Sequence, residues 1–131
     1  MKMLIAEDDL TSRMLLQKFL DGFGSVHAVV NGQEAVDAVH QAMDAVEPYE
    51  LICLDMLMPV MDGQQALVEI RKLENHYNIS PGEKAKIIMI TAVADLIRAC
   101  KALMDQCNAC MAKPLIKNKL HEELRKLGLI E

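Results

Sequence analysis

The sequence has no tryptophan and only four other aromatic side chains, two phenylalanines and two tyrosines, among its 131 residues. The chain therefore offers few aromatic rings on which a flavin or a nucleotide base could stack. No apolar run approaches the ~18 residues that a membrane-spanning helix needs, and the first residues lack the apolar segment of a signal peptide. The four cysteines are not spaced like a secreted disulfide framework, so we expect the reducing environment of the cytoplasm.

Basic side chains are also in the minority. The chain carries 14 lysines and arginines against 19 acidic residues, a formal net charge of −5, with no basic cluster. This balance argues against direct DNA binding and against binding or insertion at an anionic membrane. Hydrophobic residues make up 52%, which excludes a disordered protein, and the length fits a single domain over residues 1–131. We expect the ten methionines to fill the core.

Short apolar runs alternate with helical patterns along the whole chain. The predicted strands are residues 3–6, 25–30, 51–54, 87–90 and 109–112, and a helical pattern follows each of them. Asn31 and Glu34 form a predicted capping box for the second helix, and Asp62 is the predicted cap of the third. Five repeats of strand and helix, with strands that are apolar throughout, indicate an α/β fold with a doubly wound parallel sheet.

Polar side chains follow four of the five predicted strands. Glu7 and Asp8 follow the first strand, and Asp55 follows the third. Thr91 follows the fourth strand, and Lys113 follows the fifth. Because parallel strands all point the same way, these residues are predicted to meet at one edge of the sheet, where doubly wound folds bind ligands. The second strand carries no such residue and is predicted to lie on the outside.

Three carboxylates in one pocket repel one another, and a Mg²⁺ ion offsets that repulsion because it prefers carboxylate, carbonyl and water ligands. With the Lys113 ammonium the charges then sum to zero. Such a site suits phosphoryl transfer, in which Asp55 is the natural nucleophile and Thr91 and Lys113 can contact the phosphoryl oxygens. Each residue alone is more often a helix cap or a turn residue, so the prediction depends on the whole set.

The sequence resembles the receiver domain of bacterial two-component response regulators from Met3 to about Leu127. The matching segments are Glu7-Asp8, Asp55-Met56-Leu57-Met58-Pro59 with Asp62-Gly63, Thr91-Ala92 and Lys113-Pro114. The resemblance implies a flavodoxin-like (βα)5 fold with strand order 2-1-3-4-5. It also implies a receiver without an output domain, which signals through a protein surface to a downstream protein that the sequence does not identify.

By that resemblance Asp55 is the phosphoacceptor, which attacks a phosphohistidine of a sensor histidine kinase or phosphotransfer protein. The implied cofactor is Mg²⁺, with Asp8, Asp55 and the backbone carbonyl of Leu57 as ligands and Glu7 acting through a metal-bound water. The protein is then a signalling protein rather than an enzyme in the usual sense, although it catalyses its own phosphorylation and dephosphorylation. The remaining implied site residues are Thr91, the switch hydroxyl, and Lys113, which contacts the phosphoryl group.

Two departures from the receiver pattern have consequences. Many receivers carry Tyr or Phe three residues before the lysine, where this chain has Cys110, so no aromatic ring can report phosphorylation. The positions two residues after the aspartate and the threonine are Leu57 and Val93. Neither side chain can hydrogen-bond an attacking water, which leads to the hypothesis that the phosphoryl group is relatively long-lived.

Other functions remain open. A degenerate receiver that only docks to partners, independently of phosphorylation, is the main alternative. An aspartyl-phosphate phosphatase is less consistent with the sequence because Leu57 stands where such enzymes need a second aspartate as general acid. The segment Glu7-Asp8-Asp9 would repel the phosphate of a bound FMN. The pair Cys107-x-x-Cys110 matches half of a redox or metal motif, but it stands alone, and we expect these thiols to be buried.

Overall fold

The computed structural model describes residues 1–131, in which five strands alternate with five α-helices. The strands are β1 (Lys2–Ala6), β2 (Ser25–Val29), β3 (Leu51–Asp55), β4 (Lys86–Ala92) and β5 (Ala109–Lys113). The helices are α1 (Leu10–Leu20), α2 (Gly32–Asp44), α3 (Gly63–His76), α4 (Leu96–Leu103) and α5 (Lys117–Lys126). Short 3₁₀ turns at Pro81–Glu83 and Val93–Asp95 precede β4 and α4. None of the helices is both long and apolar enough to cross a membrane.

The five strands form one parallel sheet with the order β2-β1-β3-β4-β5. This confirms the predicted strand order and the predicted place of β2 at an edge. The inner strand β3 is buried at all five positions, whereas β2 alternates between exposed and partly buried side chains until Val29. The sheet therefore places the carboxyl ends of β1, β3, β4 and β5 side by side.

Two hydrophobic cores lie on opposite faces of the sheet. Successive side chains of a strand point to opposite faces, so each inner strand contributes to both cores. Leu4 and Ile52 pack with α2 and α3 on one face, and their neighbours Met3 and Leu51 pack with α1 and α5 on the other. The predicted doubly wound arrangement is thus confirmed by the packing.

Side-chain caps fix where the helices near the carboxyl ends of the strands begin. The carboxylate of Asp9 accepts a hydrogen bond from the backbone N–H of Ser12 at 2.8 Å, which starts α1. Asp62 and Gln65 form a complete capping box at α3.

The capping box predicted for α2 is only half correct. The Asn31 side chain accepts from the Glu34 N–H at 2.8 Å, as expected. The Glu34 carboxylate, however, accepts from the N–H of Val30 and not from that of Asn31. Glu34 thereby ties the end of β2 to the start of α2.

The prediction that the methionines fill the core is wrong for several of them. Met3, Met89 and Met111 are buried, but Met14 and Met104 are 59% and 69% exposed. In α1, the buried residues Leu16 and Leu20 lie one turn apart, and Met14 lies on the opposite side of the helix. The exposed methionines leave apolar surface open to solvent.

Candidate functional site

The predicted site residues gather at the carboxyl edge of the sheet. Glu7 directly follows β1, Asp55 is the last residue of β3, Thr91 lies at the end of β4, and Lys113 is the last residue of β5. The N–H of Met56 donates to the carbonyl of Ile90 at 2.8 Å, which continues the ladder between β3 and β4 past the aspartate. The strands thus hold these side chains on rigid backbone.

Three carboxylates form the centre of this site. Oxygen atoms of Glu7, Asp8 and Asp55 all lie within 4.8 Å of one another, and this is the only such cluster of possible metal ligands in the chain. Glu7 and Asp55 are 2% and 5% exposed, whereas Asp8 is exposed. The cluster therefore has a buried floor of two acids and a third acid on its solvent side.

A single lysine pairs with both buried acids. The Nζ atom of Lys113 donates to Glu7 Oε1 at 2.7 Å and to Asp55 Oδ2 at 3.1 Å. Burial lowers the pKa of Lys113, but its hydrogen bonds to the two carboxylates outweigh burial and raise the pKa above its ordinary value. The lysine is therefore firmly cationic and connects β1, β3 and β5.

One ammonium group does not neutralise two buried carboxylates. Burial, together with the hydrogen bond and the charge of Asp55, raises the pKa of Glu7 from 4.5 to about 7, although Lys113 opposes the shift. Excess negative charge in a largely buried pocket with an exposed third carboxylate fits a hard divalent cation such as Mg²⁺. The carbonyl oxygen of Leu57 accepts no hydrogen bond within the protein, so it is also free to act as a ligand.

The remaining predicted residues lie at the rim or beside the cluster. Thr91 is 4% exposed, and no buried side-chain oxygen or nitrogen lacks a partner, so its hydroxyl, which makes no hydrogen bond in the protein, retains contact with solvent. Leu57 and Val93 are 76% and 72% exposed. The bond between Lys113 and Pro114 is cis.

Further exposed apolar side chains lie on the segments that follow β1 and β3, and they were not predicted from the sequence. Leu10 and Met14 on α1 and Val60 in the β3–α3 loop are each more than half exposed. We call these three residues, with Leu57 and Val93, the apolar rim. Leu10 and Met14 are four residues apart and lie on a different side of α1 from Leu16. This spacing was the one signal in the sequence that could have identified these two residues as exposed.

A cavity of about 380 Å³ also opens beside Glu7 and Lys113. It lies between α1 and the segment after β5, and its apolar walls include Leu15, Pro114 and Leu115. No pattern in the sequence predicted this cavity, because it depends on how α1 packs against the end of β5.

The expectation that the cysteines of the pair are buried is wrong. Cys53 in β3 is fully buried, but Cys107 and Cys110 are only partly buried. Their Sγ atoms lie 3.7 Å apart, in contact. Cys107 lies in the loop before β5 and Cys110 is the second residue of that strand, whereas Lys113 is its last. The thiols are only partly buried because β5 is an edge strand of the sheet.

Comparisons with known proteins agree with this geometry. A family model described as the response regulator receiver domain matches residues 3–125. The chain is 34% identical over 131 residues to the peroxide stress-activated histidine kinase mak2 of Schizosaccharomyces pombe, and 31% identical over 133 residues to the sensory/regulatory protein RpfC of Xanthomonas campestris pv. campestris. These alignments cover 98% of this chain but only 5% and 17% of those proteins.

Two solved structures are also similar. The receiver domain of the sensor histidine kinase PA1611 from Pseudomonas aeruginosa, with magnesium in its active-site cleft, superimposes with a TM-score of 0.76 and 28% identity over 97% of both chains. The receiver domain of Ssk1 in its complex with the phosphotransfer protein Ypd1 of Saccharomyces cerevisiae gives a TM-score of 0.79 and 27% identity. That match covers 98% of this chain and 88% of the other.

Proposed function

This chain belongs to the response regulator receiver domain family, and from that premise we propose that it accepts a phosphoryl group on Asp55 in two-component signalling. The observation that carries the proposal is the position of the Lys113 ammonium, which contacts buried Asp55 and Glu7 while Asp8 lies within 4.8 Å of both. A structural acid would not need a second and a third carboxylate beside it, since each adds repulsion.

In the proposed reaction a carboxylate oxygen of Asp55 attacks the phosphorus of a phosphohistidine. The new O–P bond forms as the P–N bond breaks, and the electron pair of that bond returns to the imidazole nitrogen of the donor. Catalysis consists of placing the groups in line and stabilising the charge on the phosphoryl oxygens. Lys113 and Thr91 are the side chains that donate to those oxygens.

The residues that would hold Mg²⁺ are Asp8, Asp55 and the carbonyl of Leu57, with Glu7 acting through a bound water. The ion supplies charge neutralisation between the carboxylates and the incoming phosphoryl group. The raised pKa of Glu7 supports this assignment, because burial and the neighbouring Asp55 both disfavour its carboxylate form when no cation is bound. Phosphorylation is therefore expected to need a divalent cation.

We further propose that the phosphodonor is a histidine kinase or a histidine phosphotransfer protein, met in the cytoplasm. The apolar rim supports this, since exposed apolar residues around a charged centre are typical of a protein docking surface. The complex of the Ssk1 receiver with Ypd1 is an example among similar proteins. The chain then acts as a signalling protein that passes its state to a downstream protein, and not as an enzyme with a separate substrate.

The test is intact-protein mass spectrometry after incubation with acetyl phosphate and Mg²⁺. The unmodified chain should gain one phosphoryl group, and the gain should vanish in Asp55→Asn and when EDTA replaces Mg²⁺. Asp105→Asn, which removes an exposed acid of the α4–β5 loop, is the matched control and should be phosphorylated normally.

Two other results would redirect the proposal. A phosphoryl group that persists in Asp55→Asn would place the acceptor elsewhere. No phosphorylation by acetyl phosphate or by a phosphorylated histidine phosphotransfer protein, in a folded chain, would favour a receiver that only docks to its partners.

A further inference from the structure

A cleft of about 670 Å³ lies at the amino-terminal edge of the sheet, away from the carboxylate cluster. The end of α3, the start of β4 and the loop between α4 and β5 form its walls. Four basic side chains line it against one acid, although the whole chain has a net charge of −5. These residues are Arg71, Lys72, Lys84 and Lys86, with Asp105 as the acid. Arg71 pairs with buried Glu74 at 2.6 Å and Lys72 with Glu69 at 3.4 Å. Lys84 and Lys86 therefore supply the positive charge of the cleft that no ion pair offsets, and this charge favours small anions.

One of the two contacting thiols opens into this cleft. Cys107 is among its lining residues, and the Sγ atom of Cys110 lies 3.7 Å from that of Cys107. The backbone holds both in place: the N–H of Cys107 donates to the carbonyl of Leu103 at 2.9 Å, and Cys110 pairs with Met89 across the sheet. Both thiols are partly buried, and Cys107 is the one that lines the cleft.

The pair does not belong to a metal site. Cys100 on α4 is the third thiol in this region, but the three sulfur atoms do not converge as ligands, since the only cluster of three possible metal ligands in the chain is the acidic one. A disulfide needs only two sulfur atoms that can approach to about 2.05 Å. The Sγ atoms of Cys107 and Cys110 are already in contact at 3.7 Å.

The ionisation of the thiols sets an order between them. Burial raises the pKa of both thiols. The neighbouring thiols of Cys100 and Cys107 raise the pKa of Cys110 further, whereas the positive charge of Arg71 opposes the shift at Cys107. Because the thiolate is the nucleophile, Cys107 is the first to attack and Cys110 the second. The reaction is expected to be slow at neutral pH and to accelerate as the pH rises.

We propose that Cys107 and Cys110 form a reversible dithiol–disulfide site that reacts with anionic low-molecular-weight disulfides bound in the basic cleft. The Cys107 thiolate attacks one sulfur of the small disulfide, forms a mixed disulfide and releases one small thiolate. The Cys110 thiolate then attacks the Cys107 sulfur and releases the second. Two protein thiols are oxidised to one disulfide, one small disulfide is reduced to two small thiols, and the two protons lost by the cysteines pass to the released thiolates.

The test uses the full chain and oxidised glutathione, with EDTA present to exclude metal. We expect the intact mass to fall by two hydrogen atoms and dithiothreitol to restore it. Trypsin cleaves after Lys101 and, because proline follows Lys113, next after Lys117, so one peptide contains both thiols. That peptide, residues 102–117, should carry the loss.

Single substitutions separate the roles of the two cysteines. Cys110→Ser should accumulate a stable glutathione adduct at Cys107, because the second attack is missing. Cys107→Ser should show neither the adduct nor the loss of hydrogen. Cys100→Ser, which removes the neighbouring thiol of α4, is the matched control and should behave like the unmodified chain.

The basic cleft has its own test. Lys86 lines the cleft and makes no ion pair. Lys86→Gln should slow the reaction with oxidised glutathione several-fold. The reaction with hydroxyethyl disulfide, which is uncharged, should keep its rate. Equal rates for Lys86→Gln and the unmodified chain would remove the cleft from the proposal.

Two results would overturn the site itself. One is a glutathione adduct that persists at Cys107 in the unmodified chain, because then Cys110 does not complete the exchange. The other is a loss of two hydrogens that survives in Cys110→Ser, which would make Cys100 the true partner.

Discussion

Glu7 is the acid of the site that becomes harder to ionise when the protein folds. It is 2% exposed, contacts Lys113 at 2.7 Å and shares that lysine with Asp55. An acid that is harder to ionise in the folded state than in the unfolded chain binds an extra proton on folding. The free energy of unfolding of the metal-free protein therefore falls as the pH rises across the interval between the two pKa values.

This makes a pH prediction for the protein in EDTA. The ordinary pKa of Glu7 is 4.5 and its folded-state pKa is about 7. As the pH rises between these two values, deprotonation of Glu7 should lower the free energy of unfolding. In Glu7→Gln this decrease should be absent. At pH 8 we expect Glu7→Gln to be more stable than the unmodified chain by roughly 1–3 kcal/mol. Urea unfolding at several pH values measures this.

The control for that experiment is Glu122→Gln, since Glu122 is exposed on α5 and makes no ion pair. Its unfolding curves should follow those of the unmodified chain at every pH. A Glu7→Gln variant that stays as pH-dependent as the unmodified chain would show that another acid is responsible.

Leu57 and Val93 lead to a second prediction at the level of single residues. Both are exposed beside the proposed phosphoacceptor and neither can hydrogen-bond a water. We expect Leu57→Asn and Val93→Glu to shorten the lifetime of the phosphoryl group on Asp55, by about tenfold if the new side chain orients the attacking water. The decay of the phosphorylated mass after removal of acetyl phosphate measures it.

Val60→Asn is the matched control, because Val60 is 81% exposed in the same loop as Leu57 but lies five residues after Asp55. Its decay rate should not change. Unchanged decay in both Leu57→Asn and Val93→Glu would end the hypothesis that these positions set the lifetime.

At the scale of elements, the start of α3 is packed directly against the end of β3. A β-carbon added to Gly63 would lie 2.1 Å from the backbone carbonyl oxygen of Asp55, and the N–H of Gly63 donates to the carbonyl of Met56 at 3.0 Å. Backbone atoms cannot move aside as a flexible side chain can. The helix can therefore approach Asp55 only because this residue has no side chain.

We predict that Gly63→Ala destabilises the fold by about 1–3 kcal/mol, the range for overpacking, and slows phosphorylation of Asp55 by acetyl phosphate. Gly82→Ala is the control, because an added β-carbon there meets nothing within 4 Å. Thermal unfolding and the rate of the mass gain should change for the first variant and not for the second. Normal phosphorylation of Gly63→Ala would mean that β3 and α3 can separate without harm to the site.

The sequence was sufficient to predict the elements and the residues that meet at the carboxyl edge. This worked because parallel strands align their ends and because apolar strands stop abruptly at Glu7, Asp55 and Lys113. It was not sufficient to predict which helix faces are buried, as Met14 shows, since that depends on which side packs against the sheet.

Contacts between distant segments were also out of reach. Arg71 donates to buried Glu74 at 2.6 Å and to the carbonyls of Ala85 and Gln106, which ties α3 to β4 and to the α4–β5 loop. Glu74 is a local partner, three residues from Arg71 on the same helix. Nothing local marks the two carbonyl partners, because they lie 14 and 35 residues from Arg71 along the chain.

At the scale of the whole molecule, the two hydrophobic cores share the strands of one sheet. Leu16 anchors one core and Leu67 the other, both fully buried, and the inner strands of the sheet contribute side chains to each. A loss of packing on one face therefore loosens the strands that the other face needs. Such a domain is expected to unfold as one unit.

Accordingly, Leu16→Ala and Leu67→Ala should each lower the free energy of unfolding by about 2–5 kcal/mol. In both variants circular dichroism and thiol labelling of Cys53 should report the same urea midpoint, because this thiol is fully buried in β3. Leu57→Ala, at a side chain that is 76% exposed, should have little effect. Two separate midpoints in either variant would show that one face can unfold alone.

The contact between Lys113 and Glu7 joins residues that are 106 positions apart. A chain still emerging from the ribosome holds its acidic residues long before the lysine that pairs with them is available. The acids can be enclosed at low cost only after β5 has taken its place at the end of the sheet. The site is therefore expected to form late in the synthesis and folding of each chain. Fragments that end before Lys113 are not expected to be phosphorylated.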